Sequence, residues 1–222
     1  MRVIRPLSFQ GLLASFVLLL FVPGLFYGDY SAILSKLLFT VILASSLYAV
    51  AADRKDLVIG VCLALPTLLS NWLPVEFESD FYRLFFYAAF QTVFLAYISF
   101  KIMRYLMNAR RIDSEMIYAA ICLYLLVGLV WAVTYFAVVL IDPNAIGLVL
   151  SIDKVTVVNA AEVMQELVYF SYVTQTTLGY GDISPVSGIA RAIVISQSLF
   201  GQIYIAVIVA RLVGLQVATA ND

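Results

Sequence analysis

The chain has 222 residues, 64% of them hydrophobic and 12% charged, against about 45–50% and about 25% in soluble globular domains. Thirteen Lys+Arg against 14 Asp+Glu give a formal net charge of −1, and there is no His. A soluble domain, a disordered tail, a basic surface for nucleic acid and His-based acid–base or metal chemistry are all excluded, which leaves a lipid bilayer as the expected solvent.

A bilayer core about 30 Å thick takes about 20 apolar residues in a helix. Six stretches reach or approach that length: 9–27, 31–52, 57–73, 81–103, 116–141 and 187–215. Pro23 and Gly24 interrupt the first, predicting a kink or an early end. Arg2 and Arg5 precede it and small residues follow at 30–32, as in a leader peptide. The run is too long for a leader core and has no A-x-A site, so cleavage is not expected. Near the start of the second stretch Lys36 is placed to snorkel, with no buried opposite charge evident. The third is the shortest and carries Pro66 and Asn71. In the fourth, Arg83 is followed by seventeen uncharged residues before Lys101 and Arg104. Ser45, Ser46 and Gln91 are read as points for hydrogen bonds between helices. Cys62 and Cys122, both inside apolar runs, are read as small hydrophobic fillers, not as disulfide partners.

A seventh apolar segment, 161–177, is amphipathic and too close to the last stretch to be an independent span. Asn159 followed by Glu162 predicts a helix N-cap with an acidic partner. From Ala161 to Thr176 such a helix is about 24 Å long, and its negative C-terminal end points at Thr177. Glu162 and Glu166 read as solvated charges at its start. The chain then runs Tyr169-Phe-Ser-Tyr-Val-Thr-Gln-Thr-Thr-Leu-Gly-Tyr-Gly-Asp-Ile-Ser-Pro185. Gly179 and Gly181 flank Tyr180, and glycine reaches φ > 0 without steric cost. Alternating backbone handedness turns successive carbonyls to one side, so that a stack of them replaces the water shell of a monovalent cation. Irregular backbone at membrane depth is tolerated where it is buried in protein or lines a water-filled path. The bland alternative is a tight exposed turn. Helix, glycine-bearing strand, breaker (Pro185, Gly188) and final helix instead describe a re-entrant loop. An earlier Phe26-Tyr27-Gly28-Asp29 fragment lacks the Thr pair and the preceding helix, and is read as a short outer turn.

Positive charge sets the orientation. With a cytoplasmic N-terminus, nine of the thirteen Lys and Arg fall on the inner side, and four (Lys36, Arg83, Lys154, Arg191) on the outer. Both termini are therefore expected in the cytoplasm of a multi-pass cell-membrane protein, with the 141–187 region outside.

Thr176-Thr177-Leu178-Gly179-Tyr180-Gly181-Asp182 resembles the potassium-channel signature, and potassium channels are the standard case of selectivity by backbone carbonyls. The resemblance covers residues 116–216. It implies an all-α membrane protein of six transmembrane helices, with a re-entrant pore helix and selectivity filter between the fifth and sixth, assembled with three identical subunits into a tetrameric pore. By resemblance, carbonyls of Thr177, Leu178, Gly179 and Tyr180, with the Thr177 hydroxyl, hold potassium ions; Gly181 completes the filter and Asp182 sits at its outer mouth. Leu178 stands where Val is commoner, its side chain expected to point into supporting protein. Tyr169 and Phe170 stand where relatives often carry a Trp pair: Tyr169 retains a donor that reaches toward Asp182, and Phe170 has none. Gly201 falls where relatives place a bending glycine, with close helix packing as the other reading. Residues 1–113 then form a four-helix region lacking the basic repeat of a voltage sensor, in which each charge crossing the field supplies about 2.3 kcal/mol per 100 mV. Residues 114–222 form the pore domain, and only seven residues follow Leu215, so no appended regulatory domain is expected. The expected function is passive potassium transport without a cofactor and without strong voltage gating. The alternatives are a weakly selective cation channel and a non-conducting membrane subunit with the same fold. A transporter lacks its repeated half, and an intramembrane enzyme lacks a paired acid and base.

Overall fold

A computed structural model describes residues 8–21, 29–50, 54–72, 80–109, 113–148, 155–156 and 159–220. The helices are α1 (Ser8–Phe21), α2 (Asp29–Val50), α3 (Arg54–Trp72), α4 (Asp80–Asn108), α5 (Ser114–Ile141), α6 (Ala160–Gln175) and α7 (Gly188–Ala220). Two short strands, β1 (Ile146–Gly147) and β2 (Ser184–Pro185), pair antiparallel.

Among the described residues four helices are long and apolar enough to cross a membrane, over Ile33–Val50, Phe81–Asn108, Ser114–Ile141 and Gly188–Leu215. Of the first apolar stretch the described part is the helix Ser8–Phe21, and Pro23 and Gly24 lie outside the described residues. The third continues through Pro66, with Arg54, Lys55 and Asp56 in its first turn. Of the Phe26–Asp29 fragment only Asp29 is described, and it opens α2.

Lipid tails are as apolar as leucine, so helices in a membrane are held by close packing and interhelical hydrogen bonds, with little hydrophobic drive. On α1 the buried residues Phe9, Leu12, Ser15 and Phe16 fall at helical spacing on one face. On α4 the stripe Leu84, Ala88, Gln91, Leu95, Ile98, Ile102 and Leu106 does the same. α5 is the central helix: 56% of its span is buried, against 22% for that of α7. α1, α4, α6 and α7 all pack on it. Its N-terminus is capped by Asp113, whose Oδ1 accepts from the Met116 N–H at 2.8 Å. Cys62 and Cys122 are both free; Cys122 is buried in the core, in keeping with a filler role, whereas Cys62 is exposed and fills no core space.

Two polar links in this frame are illegible from hydropathy. Lys101 Nζ meets Asp56 Oδ1 at 2.6 Å, joining α4 to α3. Arg211 on α7 donates to the carbonyls of Leu106, Met107 and Ala109 at 3.2, 2.7 and 3.0 Å. It satisfies the orphan acceptors at the end of α4 and sets a positive charge on the negative end of that helix. At the other end of the bundle α2, α4, α5 and α6 enclose a cavity of about 690 Å³, lined by Phe39, Tyr87, Gln91, Phe136, Tyr172 and Leu178 among others. Among the described residues no bond from Ser46 or Gln91 to another helix is seen. Ser46 Oγ donates back to Leu43 O of its own helix at 3.0 Å, as serine does inside helices. Gln91 Oε1 is buried without a hydrogen bond.

Candidate functional site

α6 is a 16-residue helix whose buried face is Val163, Leu167, Phe170, Ser171, Val173, Thr174 and Gln175. Asn159 occupies the N-cap position but does not cap: its backbone is helical (φ −99°, ψ −2°) and its side chain makes no bond to the first turn. Asn159 Oδ1 turns back instead to accept from Thr156 N and Oγ1 at 2.7 and 3.3 Å. The capping reading fails because a side chain caps from extended backbone, which Asn159 lacks.

The other end of α6 closes with two reverse bonds, Leu178 N–H to Val173 O and Thr177 N–H to Thr174 O, both 3.0 Å. This is the Schellman arrangement, with Thr177 in the left-handed position that glycine usually takes. Thr177 has φ 60°, Gly179 φ 59° and Gly181 φ 83°. Every second residue from 177 to 181 is therefore left-handed, the alternation that turns successive carbonyls toward one side. No basic side chain lies in the last turn of α6, so the helix itself brings no cation to its negative end beside Thr177. Residues 176–182 are all exposed in the single chain.

The loop is braced from several sides. Beyond it Ile183 is buried and β2 pairs with β1, while Val186 and Ser187 N–H groups both bond Ala145 O at 2.9 and 3.1 Å. Ser187 Oγ then caps α7 by accepting from Ala190 N–H at 3.1 Å. At the mouth, Tyr169 O–H donates to Asp182 Oδ2 at 2.7 Å, and Asp182 Oδ1 accepts from Ile183 N–H at 3.0 Å. These bonds, Tyr169's foremost, hold the Asp182 carboxyl below the usual carboxylate range. The same bond pushes the Tyr169 hydroxyl up to about 12. Phe170, without a donor, lies tilted against the ring of Tyr135 at 5.0 Å.

Behind the loop runs a buried polar network that the sequence reading missed. Gln197 Oε1 accepts from Tyr135 O–H at 2.6 Å, and its Nε2 donates to Ser171 O and Oγ at 2.9 and 2.8 Å. Ser171 Oγ donates onward to Gly128 O at 2.7 Å. Gln175 Nε2 donates to Tyr124 O at 2.7 Å while Tyr124 O–H donates to Gln175 O at 3.1 Å. Tyr172 O–H donates to Leu125 O at 2.8 Å. α6 is thereby tied to α5 and α7 together. The available signal was amphipathicity: these polar side chains recur at helical spacing in segments otherwise apolar. Gly201 lies where the backbones touch, since a Cβ there would overlap the carbonyl oxygen of Gln175. Close packing is thus its structural role. Leu178 is 60% exposed and lines the cavity together with Tyr172, Val173 and Thr176. Gln202 Nε2 reaches Thr177 Oγ1 at 3.3 Å.

Residues 144–216, from the turn before β1 to the last turns of α7, match a family described as "Ion channel". No match is found among curated proteins or among solved structures. The match spans a third of the chain and holds the helix, the loop and its braces. That stretch is therefore similar to an ion-channel family, and the apolar helices around it are those of a multi-pass α-helical membrane protein.

Proposed function

We propose that the protein is a potassium-selective channel that conducts passively through a homotetrameric pore. The alternating handedness at Thr177, Gly179 and Gly181 carries this reading. Only a backbone so alternated offers the carbonyls of Thr177, Leu178, Gly179 and Tyr180 together to one dehydrated ion, and each chain supplies a single such strand. A closed ring needs further copies, four by analogy with carbonyl filters. The wide exposure of Leu178 (60%) and Tyr180 (68%), and of the apolar face of α7, supports partners covering both. Residues 114–222 serve as the pore domain in this reading. Residues 1–113 add four further crossings, with both termini on the cytoplasmic side as the nine-to-four charge bias favours. Voltage dependence is weak, because α4 carries Arg83, Lys101 and Arg104 without a repeat, and Lys101 is already paired with Asp56.

The test is flux into proteoliposomes in parallel potassium and sodium gradients. Potassium is expected to pass and sodium to be held back. Gly179→Ala, which forces a Cβ onto a φ of 59°, is expected to abolish the discrimination. Equal sodium flux, or no flux from well-folded protein, overturns the reading. A steep conductance–voltage curve in the same membranes overturns its voltage clause.

A further inference from the structure

We infer that Gln202 is a positioning residue for the innermost cation site of the filter. Glycines aside, Thr177 alone among the described residues has a positive φ. The left-handed conformation is strained for an L-residue, and glycine is the usual occupant of this helix-end position. A glycine here would relieve the strain and lose the hydroxyl. What the strained residue adds to the loop is therefore the hydroxyl, and the structure shows what that hydroxyl touches. Its oxygen accepts from the Nε2 amide of Gln202 at 3.3 Å.

Gln202 is itself out of place by composition. It is exposed on α7 amid Leu199, Ile203, Ile205 and Val207, which are also exposed. An unpaired amide facing lipid is costly, whereas one beneath the loop faces the water-filled end of an ion path. The register is fixed one residue earlier. Gly201 lies against the carbonyl of Gln175, which brings α7 to the last turn of α6 and leaves the next side chain facing the end of the loop. A hydroxyl oxygen has two lone pairs. The amide engages one and tethers the side chain from below; the other stays available to an ion. In a tetramer, four such amides form a ring under the filter and fix the four hydroxyls that complete its lowest site.

This inference rests on the potassium-pore reading and deepens it. The full-length protein is reconstituted, and block of potassium current by barium, a divalent ion of potassium's size, is titrated from each side for wild type, Gln202→Leu and Gln202→Ala. Both variants are expected to remain tetrameric and to prefer potassium over sodium. Their barium affinity from the side on which α7 ends is expected to fall about tenfold, the equivalent of one hydrogen bond, with block from the opposite side unchanged. In a Thr177→Ala background, Gln202→Leu is expected to add nothing. Unchanged block in both variants overturns the assignment. An equal loss from both sides also overturns it, because a general loosening of the filter accounts for that. Wild-type protein that passes potassium no better than sodium brings down the pore reading itself, a result distinct from either.

Discussion

Residues 8–109 and 113–220 are both apolar helical bundles, yet they are held together by different means. In the first, the polar bonds between helices among the described residues include Asn71 to Lys36 O, Trp72 to Thr40, and Lys101 to Asp56, each with one partner near an end of α3. Gln91 Oε1 and Ser99 Oγ are buried there with no hydrogen bond. In the second, Tyr124, Tyr135, Ser171, Tyr172, Gln175, Gln197 and Tyr204 all bond across helices. Packing alone suffices to hold helices side by side in lipid. A loop of strained, exposed backbone needs directional bonds that over-determine it. Hydrogen-bond density therefore marks where function imposes a shape on the chain.

The comparison is broken most forcefully at its glycines. A Cβ at Gly201 meets backbone, the Gln175 carbonyl, which cannot move without shifting the end of α6. A Cβ at Gly60 meets only the tip of the Leu47 side chain, which can rotate away. Gly201→Ala is expected to cost about 1–3 kcal/mol through overpacking, with loss of potassium flux. Gly60→Ala is expected to be close to neutral, the clash offset by the roughly 1 kcal/mol of helix propensity gained. Thermal unfolding of the detergent-solubilised proteins checks both, and equal destabilisation of the two variants contradicts the contrast.

Two glutamines sharpen it further. Gln197→Leu leaves the buried Tyr135 hydroxyl without its acceptor, at a cost of about 1–3 kcal/mol. It also frees α6 from α7, so reduced potassium-over-sodium discrimination is expected in the flux assay. Gln91→Leu removes an oxygen that already lacks a partner and a bond to Tyr87 within the same helix, and is expected to cost clearly less than Gln197→Leu. A Gln91 variant as damaging as the Gln197 variant means that the first bundle, too, depends on polar bonds.

How far the sequence reached follows the same division. The helices were legible because each carries a long apolar run, and the loop was legible because Gly179 and Gly181 report their φ directly. The Tyr169–Asp182 bond followed from the resemblance, since Tyr169 keeps a donor where relatives often carry a Trp. The helix end at Asn159 was not legible, since the same side chain serves a cap or a preceding turn and local backbone decides. Nor was the Gln197 network: composition shows that Ser171, Gln175 and Gln197 are polar but not that three helices converge on them. Thr177 carries the deepest lesson. Its left-handed backbone contradicts residue preference, and such contradictions concentrate where function overrides local propensity.

The smallest effect lies at the mouth, where the bonding of the second region comes to the surface. Asp182 is held below the ordinary carboxylate range by Tyr169 first and by the Ile183 N–H next, and Tyr169 keeps its proton until about 12. A depressed carboxylate contributes its stability above the unfolded value, near 3.9, and loses it as pH falls through the folded one. A raised tyrosine contributes below about 10 and loses it as pH rises through about 12. With no His in the chain, the mouth is expected to behave uniformly between about pH 5 and 9. Tyr169→Phe removes the larger of the two supports of the carboxylate and leaves the Ile183 N–H. The acid midpoint of potassium flux is expected to move upward in this variant, part of the way to the ordinary carboxylate value. Coincident midpoints in wild type and variant mean that Asp182 is held by backbone alone. The tyrosine would then serve the mouth by packing alone.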